Sequence, residues 1–212
     1  MSNLHRTGLE RREALFYWTL LCYPCTWVGV LRLGLLALAI GVHFSRSSDE
    51  LRWGFVLLVG LIHLLDLLDG YLARRLGHTS RFGVAFDFLI DQTTHTVFWL
   101  ASGLLVAIPL MVIEWCAGIA VLRYTLRTDG YWKEVLFAKG GALVRAYFVH
   151  HQRNALSALA VISHFALPAS SYLWLTGWPL WIWVPGVALY AWVTLLMLVM
   201  LYRVKIHARA VP

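Results

Sequence analysis

Six apolar runs divide this chain, at about 26–44, 54–73, 83–106, 108–123, 154–175 and 179–202. Each is near the roughly 20 residues that an α-helix needs to cross the hydrocarbon core of a bilayer. A segment in lipid must satisfy its own backbone N–H and C=O groups, so runs of this kind fold as helices. Hydrophobic residues make up 60% of the 212, against about 45–50% in soluble domains. The expected fold class is therefore all-α, a polytopic membrane protein with six transmembrane helices in a single domain over residues 1–212. The third and fourth runs are almost continuous and are expected to break near Pro109. Ahead of the first run, "LERREALFYWTLL" alternates charged and apolar patches. This stretch is expected to form an interfacial amphipathic helix over about 8–22. The first apolar run is too long and too far in to be a cleaved signal peptide.

The placement of charge orients the spans. With six of them, both termini and the second and fourth loops share one side. That side would carry Arg6, Arg11 and Arg12, then Arg74, Arg75 and Arg81, then Arg123, Arg127, Lys133, Lys139, Arg145 and Arg153, and finally Arg203, Lys205 and Arg209. Only Arg46 and Arg52 fall on the other side, and Arg32 lies within the first run. An excess of Lys and Arg marks the cytoplasmic face, so both termini are expected in the cytoplasm. Basic loops also suit an anionic membrane surface or phosphate ligands. Nucleic acid is not an expected partner, because no soluble basic domain is present to hold it. Cys22 and Cys25 form "CYPC", but no second pair follows and no disulfide framework is implied.

Against this apolar background, "DLLDGYLARRLGHTSRFGVAFDFLID" (66–91) holds four aspartates. A carboxylate within a membrane is costly and marks a functional site by default. Asp66 and Asp69 are three apart and Asp87 and Asp91 four apart, so each pair shares one helical face. The polar segment between them contains Gly77 and reads as a turn, which returns the second helix antiparallel to the first. The two acidic faces can then meet. Like charges and desolvation both oppose ionising all four, so either some stay protonated or cations lie among them. Carboxylate oxygens suit Mg²⁺, Mn²⁺ or Ca²⁺, and two such ions in one cluster suit chemistry at a phosphate. Gly70, Ala73 and Gly83 leave room for a ligand against the backbone. The alternative is a packing network in which Arg74 and Arg75 pair with one or two of the acids.

The residues Asp66, Asp69-Gly70, Ala73-Arg74, Gly83, Asp87 and Asp91, at these spacings, resemble the signature of the CDP-alcohol phosphotransferase family, with every fixed position filled. The resemblance implies an integral-membrane enzyme that cleaves the pyrophosphate of a CDP-linked substrate, transfers a phospho-group to an alcohol and releases CMP. It implies two divalent ions, Mg²⁺ or Mn²⁺, on Asp66, Asp69, Asp87 and Asp91. It assigns Asp91 as the base for the acceptor hydroxyl, and Gly70, Ala73, Arg74 and Gly83 to the CDP pocket. It also implies a homodimer. The active site would face the cytoplasm from a bacterial inner membrane or the endoplasmic reticulum. Arg32 resembles the arginine near the start of many members, although Cys25 rather than Asn follows Pro24. A snorkelling side chain is the other reading of Arg32.

The length resembles the short branch of the family, in which CDP-diacylglycerol is the donor and a small polar alcohol the acceptor. "TSRFG" and "LVRAYFVHHQRNALSAL" resemble phosphatidylinositol synthases, so an inositol-type alcohol is favoured. Gln92, however, stands where those enzymes usually carry Arg. Arg145, Arg153 and His95 are candidate head-group or phosphate contacts, with His150 and His151 at the same mouth. For His95 a packing or hydrogen-bonding role is the stronger expectation. The competing readings are transfer from a CDP-alcohol to diacylglycerol or ceramide, an intramembrane cation transporter, and an inactive scaffold.

Overall fold

The computed structural model describes residues 24–45, 48–76, 81–128, 132–173 and 180–203. The described residues form eight α-helices and no strand. They are α1 (Pro24–Phe44), α2 (Asp49–Leu76), α3 (Arg81–Ala101), α4 (Ala107–Arg127), α5 (Trp132–Lys139), α6 (Ala142–Phe148), α7 (Ala155–Tyr172) and α8 (Val184–Arg203). Short 3₁₀ turns cover Val149–Gln152 and Leu180–Ile182. The interfacial helix expected over 8–22 lies outside the described residues, as does Cys22. Cys116 is a free, exposed thiol.

Five helices are long and apolar enough to cross a membrane: α1, the Asp49–Leu68 part of α2, α4, α7 and α8. The sequence led to an expectation of six. The third of those runs is α3, which matches α1 and α4 at 21 residues. It is less apolar because Asp87, Asp91, Gln92, Thr93, Thr94 and His95 lie along it. The expected break between the third and fourth runs falls at Ser102–Val106. Gly103 adopts φ +72° there, a left-handed conformation that costs glycine little. Pro109 sits in the first turn of α4, where a missing N–H removes no helical hydrogen bond.

Burial follows helical periodicity, with lipid-type side chains on the outside. On α1 the buried positions are Gly29, Arg32, Leu36 and Ala39, while Val30, Leu31, Leu33 and Leu38 are exposed. On α2, Phe55, Val59 and Ile62 are buried and lead along the same face to Asp66. Exposed leucines that would oppose folding in water are at home against acyl chains, so close packing rather than water exclusion decides which helix faces meet. α1 packs on α2 and α3, α4 packs on α3 and α8, and α7 packs on α8 and α3. Gly29 provides the close approach of α1 to α3: a Cβ there would lie 2.6 Å from the Phe86 ring.

The expected fourth loop is itself folded. Leu136 of α5, and Val144, Tyr147 and Phe148 of α6, are buried in one cluster with Tyr124, Ala160, Val193 and Leu201. Asn154 fixes this segment to α7. Its Oδ1 accepts from the Ser157 N–H at 3.0 Å, while its Nδ2 donates to the carbonyls of Tyr147 and Val149.

Candidate functional site

Asp66 lies on the inward face of α2, and Asp87 and Asp91 share one face of α3. Arg32 reaches all three from α1. Its Nη1 is 3.0 Å from Asp66 Oδ1 and 2.5 Å from Asp87 Oδ1, and its Nη2 donates to Asp91 Oδ1. The arginine side chain is fully buried, whereas the three carboxylates are 31–42% exposed. One guanidinium fork thus ties three helices together, and its planar donors suit several carboxylates at once. This rules out the snorkelling reading of Arg32.

The four side chains carry three formal negative charges and one positive. Asp66, Asp87 and Asp91 can each direct an oxygen into a group whose members lie within 4.8 Å of one another. Converging hard oxygen donors with excess negative charge are the set that divalent Mg²⁺ or Mn²⁺ requires. The donors present therefore fit a divalent ion. Asp69, Gly70, Ala73 and Arg74 lie on α2, but their side chains are outside the described residues. Gly83 is on α3, one turn before Asp87. Arg145 is exposed on α6 and donates from Nε to the Gly140 carbonyl at 2.7 Å. Arg153 is exposed just beyond the 3₁₀ turn. His150 lines a cavity of about 550 Å³ with Lys133, Glu134 and Phe137. The side chain of His151 is outside the described residues.

His95 belongs to a second polar group. Its Nδ1 lies 3.5 Å from Glu114 Oε2, and His164 Nε2 lies 3.1 Å from Glu114 Oε1. Its ring stacks on His63, with centroids 5.2 Å apart. The polar neighbour of His95 is thus Glu114 rather than the aspartates.

Periodicity identified the paired aspartates but not Arg32 as their common partner. That role depends on contacts across 34, 55 and 59 residues, which no helical spacing records. Glu114 and His164 escaped notice as well. The available signal was a lone charged residue in "MVIEWCAG" and a lone histidine in "VISHFALP", since ionisable groups within a span are functional candidates.

The family model for CDP-alcohol phosphatidyltransferases matches residues 24–183 of the chain. Comparison with curated proteins and with solved structures gives no match.

Proposed function

The chain belongs to the CDP-alcohol phosphatidyltransferase family, a family of membrane transferases, and from that premise we propose that it transfers the phosphatidyl group of CDP-diacylglycerol to a small polar alcohol of the inositol type, releasing CMP. The observation that carries this reading is the convergence of Asp66, Asp87 and Asp91 within 4.8 Å.

In this reading α3 is the third of six spans, and residues 1–212 form one domain with both termini and the active site on the cytoplasmic side. Asp66, Asp69, Asp87 and Asp91 hold the two divalent ions, Mg²⁺ or Mn²⁺. When bound, the ions supply positive charge that polarises the diphosphate and stabilises departing CMP. Gly70, Ala73, Arg74 and Gly83 line the CDP pocket, with the Arg74 fork beside the phosphates. Asp91 accepts the proton of the acceptor hydroxyl as its oxygen bonds to the lipid-side phosphorus and the P–O bond to CMP breaks. Arg32 holds Asp66, Asp87 and Asp91 on a common centre, which limits their mutual repulsion before substrate arrives. Arg145, Arg153 and His95 remain candidate head-group contacts, and the working unit is a homodimer. The family match favours this transferase reading over a cation transporter.

The role of Asp91 is tested by Asp91→Asn, which retains an acceptor for Arg32 but removes the base. CMP release is expected to fall by at least about 10²-fold, with the protein still eluting as a folded species. Near-normal release would remove Asp91 from the chemistry.

A further inference from the structure

Beneath the aspartates lies a group of side chains to which the proposed transfer assigns no role beyond a candidate contact at His95. Going away from the acidic cluster, His63 is one turn before Asp66 on α2 and His95 is one turn beyond Asp91 on α3. Here α4 contributes Glu114 and α7 contributes His164, which are 3% and 1% exposed.

Hydrogen bonding alone leaves this group in conflict. His164 Nε2 is 3.2 Å from the Trp99 indole nitrogen and 3.1 Å from Glu114 Oε1. An indole N–H can only donate. If Nε2 carries a proton, it can donate to Glu114 but opposes the Trp99 N–H. If Nε2 carries a lone pair, it accepts from Trp99 but turns that lone pair toward a carboxylate oxygen. Neither Glu114 oxygen has a hydrogen bond of ordinary geometry, and neither does His95 Nδ1, although the Tyr190 hydroxyl also faces Glu114. Buried polar atoms left in this state are costly, and each of these three atoms is a good metal donor.

We propose that His95, Glu114 and His164 form a site for one divalent transition-metal ion of the Zn²⁺ type, separate from the acidic site. One ligand atom from each residue lies within 4.8 Å of the others. Glu114 approaches the two rings through different oxygens, Oε1 at 3.1 Å from His164 Nε2 and Oε2 at 3.5 Å from His95 Nδ1, and both separations are near the roughly 3.4 Å between donors of a tetrahedral ion with 2.0–2.1 Å bonds. Two imidazoles and one carboxylate are an established zinc set that leaves a fourth position for water. Imidazole selects such ions over Mg²⁺, which prefers the all-oxygen site above. The Zn²⁺ ion neutralises Glu114 and takes the His164 Nε2 lone pair, so the Trp99 N–H, 3.2 Å from that nitrogen, must turn to another acceptor such as the water in the fourth position. The ion also links α3, α4 and α7 at a level where His63 and Tyr190 stack against the ligating rings.

The test uses the full chain, purified in detergent from cells grown with added zinc and dialysed against millimolar Mg²⁺. Bound zinc is counted by elemental mass spectrometry, independently of any turnover. About one zinc per chain is expected in the wild type and in Asp87→Asn, falling to below about a tenth in Glu114→Gln and His164→Gln. Zinc K-edge absorption of the wild-type protein should show a four-coordinate shell with imidazole scattering at about 2.0–2.1 Å. This spectrum decides the matter if the Glu114 and His164 variants do not fold. The proposal is overturned by a wild type without zinc, by zinc retained in folded Glu114→Gln and His164→Gln, by zinc lost in Asp87→Asn, or by a six-coordinate all-oxygen shell.

Discussion

Replacing Arg32 by Gln removes a positive charge that bridges three carboxylates from two other helices. Breaking a fully buried ion pair by removing one partner costs about 3–5 kcal/mol. Here the arginine is fully buried, but the aspartates are 31–42% exposed, so water screens much of their repulsion. A loss of about 2–3 kcal/mol is the reasonable discount on the fully buried figure. For a chain of this size that is on the order of 4–12 °C in Tm. The sign of the divalent-ion effect follows from the same charges. With Arg32 gone, a bound cation compensates a larger share of the charge on Asp66, Asp87 and Asp91. Mg²⁺ or Mn²⁺ should therefore raise the Tm of Arg32→Gln by more than that of the wild type. Thermal unfolding of detergent-solubilised protein, in chelator and in millimolar Mg²⁺, measures both effects. Arg32→Lys should fall between the two, because one ammonium cannot reproduce the fork. An Arg32→Gln protein with unchanged Tm in chelator, or with the same response to Mg²⁺ as the wild type, would refute the assignment of Arg32 as the organising counter-charge.

Two further predictions concern the scaffold. Gly186→Val should destabilise the α7–α8 contact, because even a Cβ at Gly186 would stand 2.0 Å from Ser163 Oγ and 3.1 Å from the Leu159 carbonyl. Overpacking of this kind costs about 1–3 kcal/mol, so a Tm equal to wild type would show that these helices separate easily. Asn154→Ala removes the N-cap of α7 together with two hydrogen bonds to the preceding segment. A cap alone is worth about 0.5–2 kcal/mol. Limited proteolysis should then cut faster near Val149–Arg153, and an unchanged cleavage pattern would mean that the cap does not secure this turn.

How far the sequence could be read differs between the two polar centres. The paired aspartates were legible because three- and four-residue spacings on a helix translate directly into a shared face, and because carboxylates stand out in an apolar run. The helices from α1 to α4 and α7 to α8 were legible for the same reason, close to their observed limits. The short helices α5 and α6, at eight and seven residues, are too brief for a periodic signal. Their burial comes from contacts with α4, α7 and α8. The His95–Glu114–His164 group needed three separate helices to converge, and Trp99 sharpens it by a contact 65 residues away. Pro168 adds a local feature that sequence alone could have linked to His164. It lies four residues later in α7 and so cannot supply the ordinary helical N–H to the His164 carbonyl.

The central claim is the transfer itself. Purified protein would be given CDP-diacylglycerol with Mg²⁺ or Mn²⁺ and a panel of myo-inositol, inositol phosphate, glycerol phosphate, serine and choline, and CMP would be measured. The account predicts metal-dependent CMP release that requires one of these alcohols, with an inositol-type acceptor preferred, and that is lost in Asp91→Asn. No release with any alcohol on the panel, or release indifferent to chelation of the metal, would contradict it.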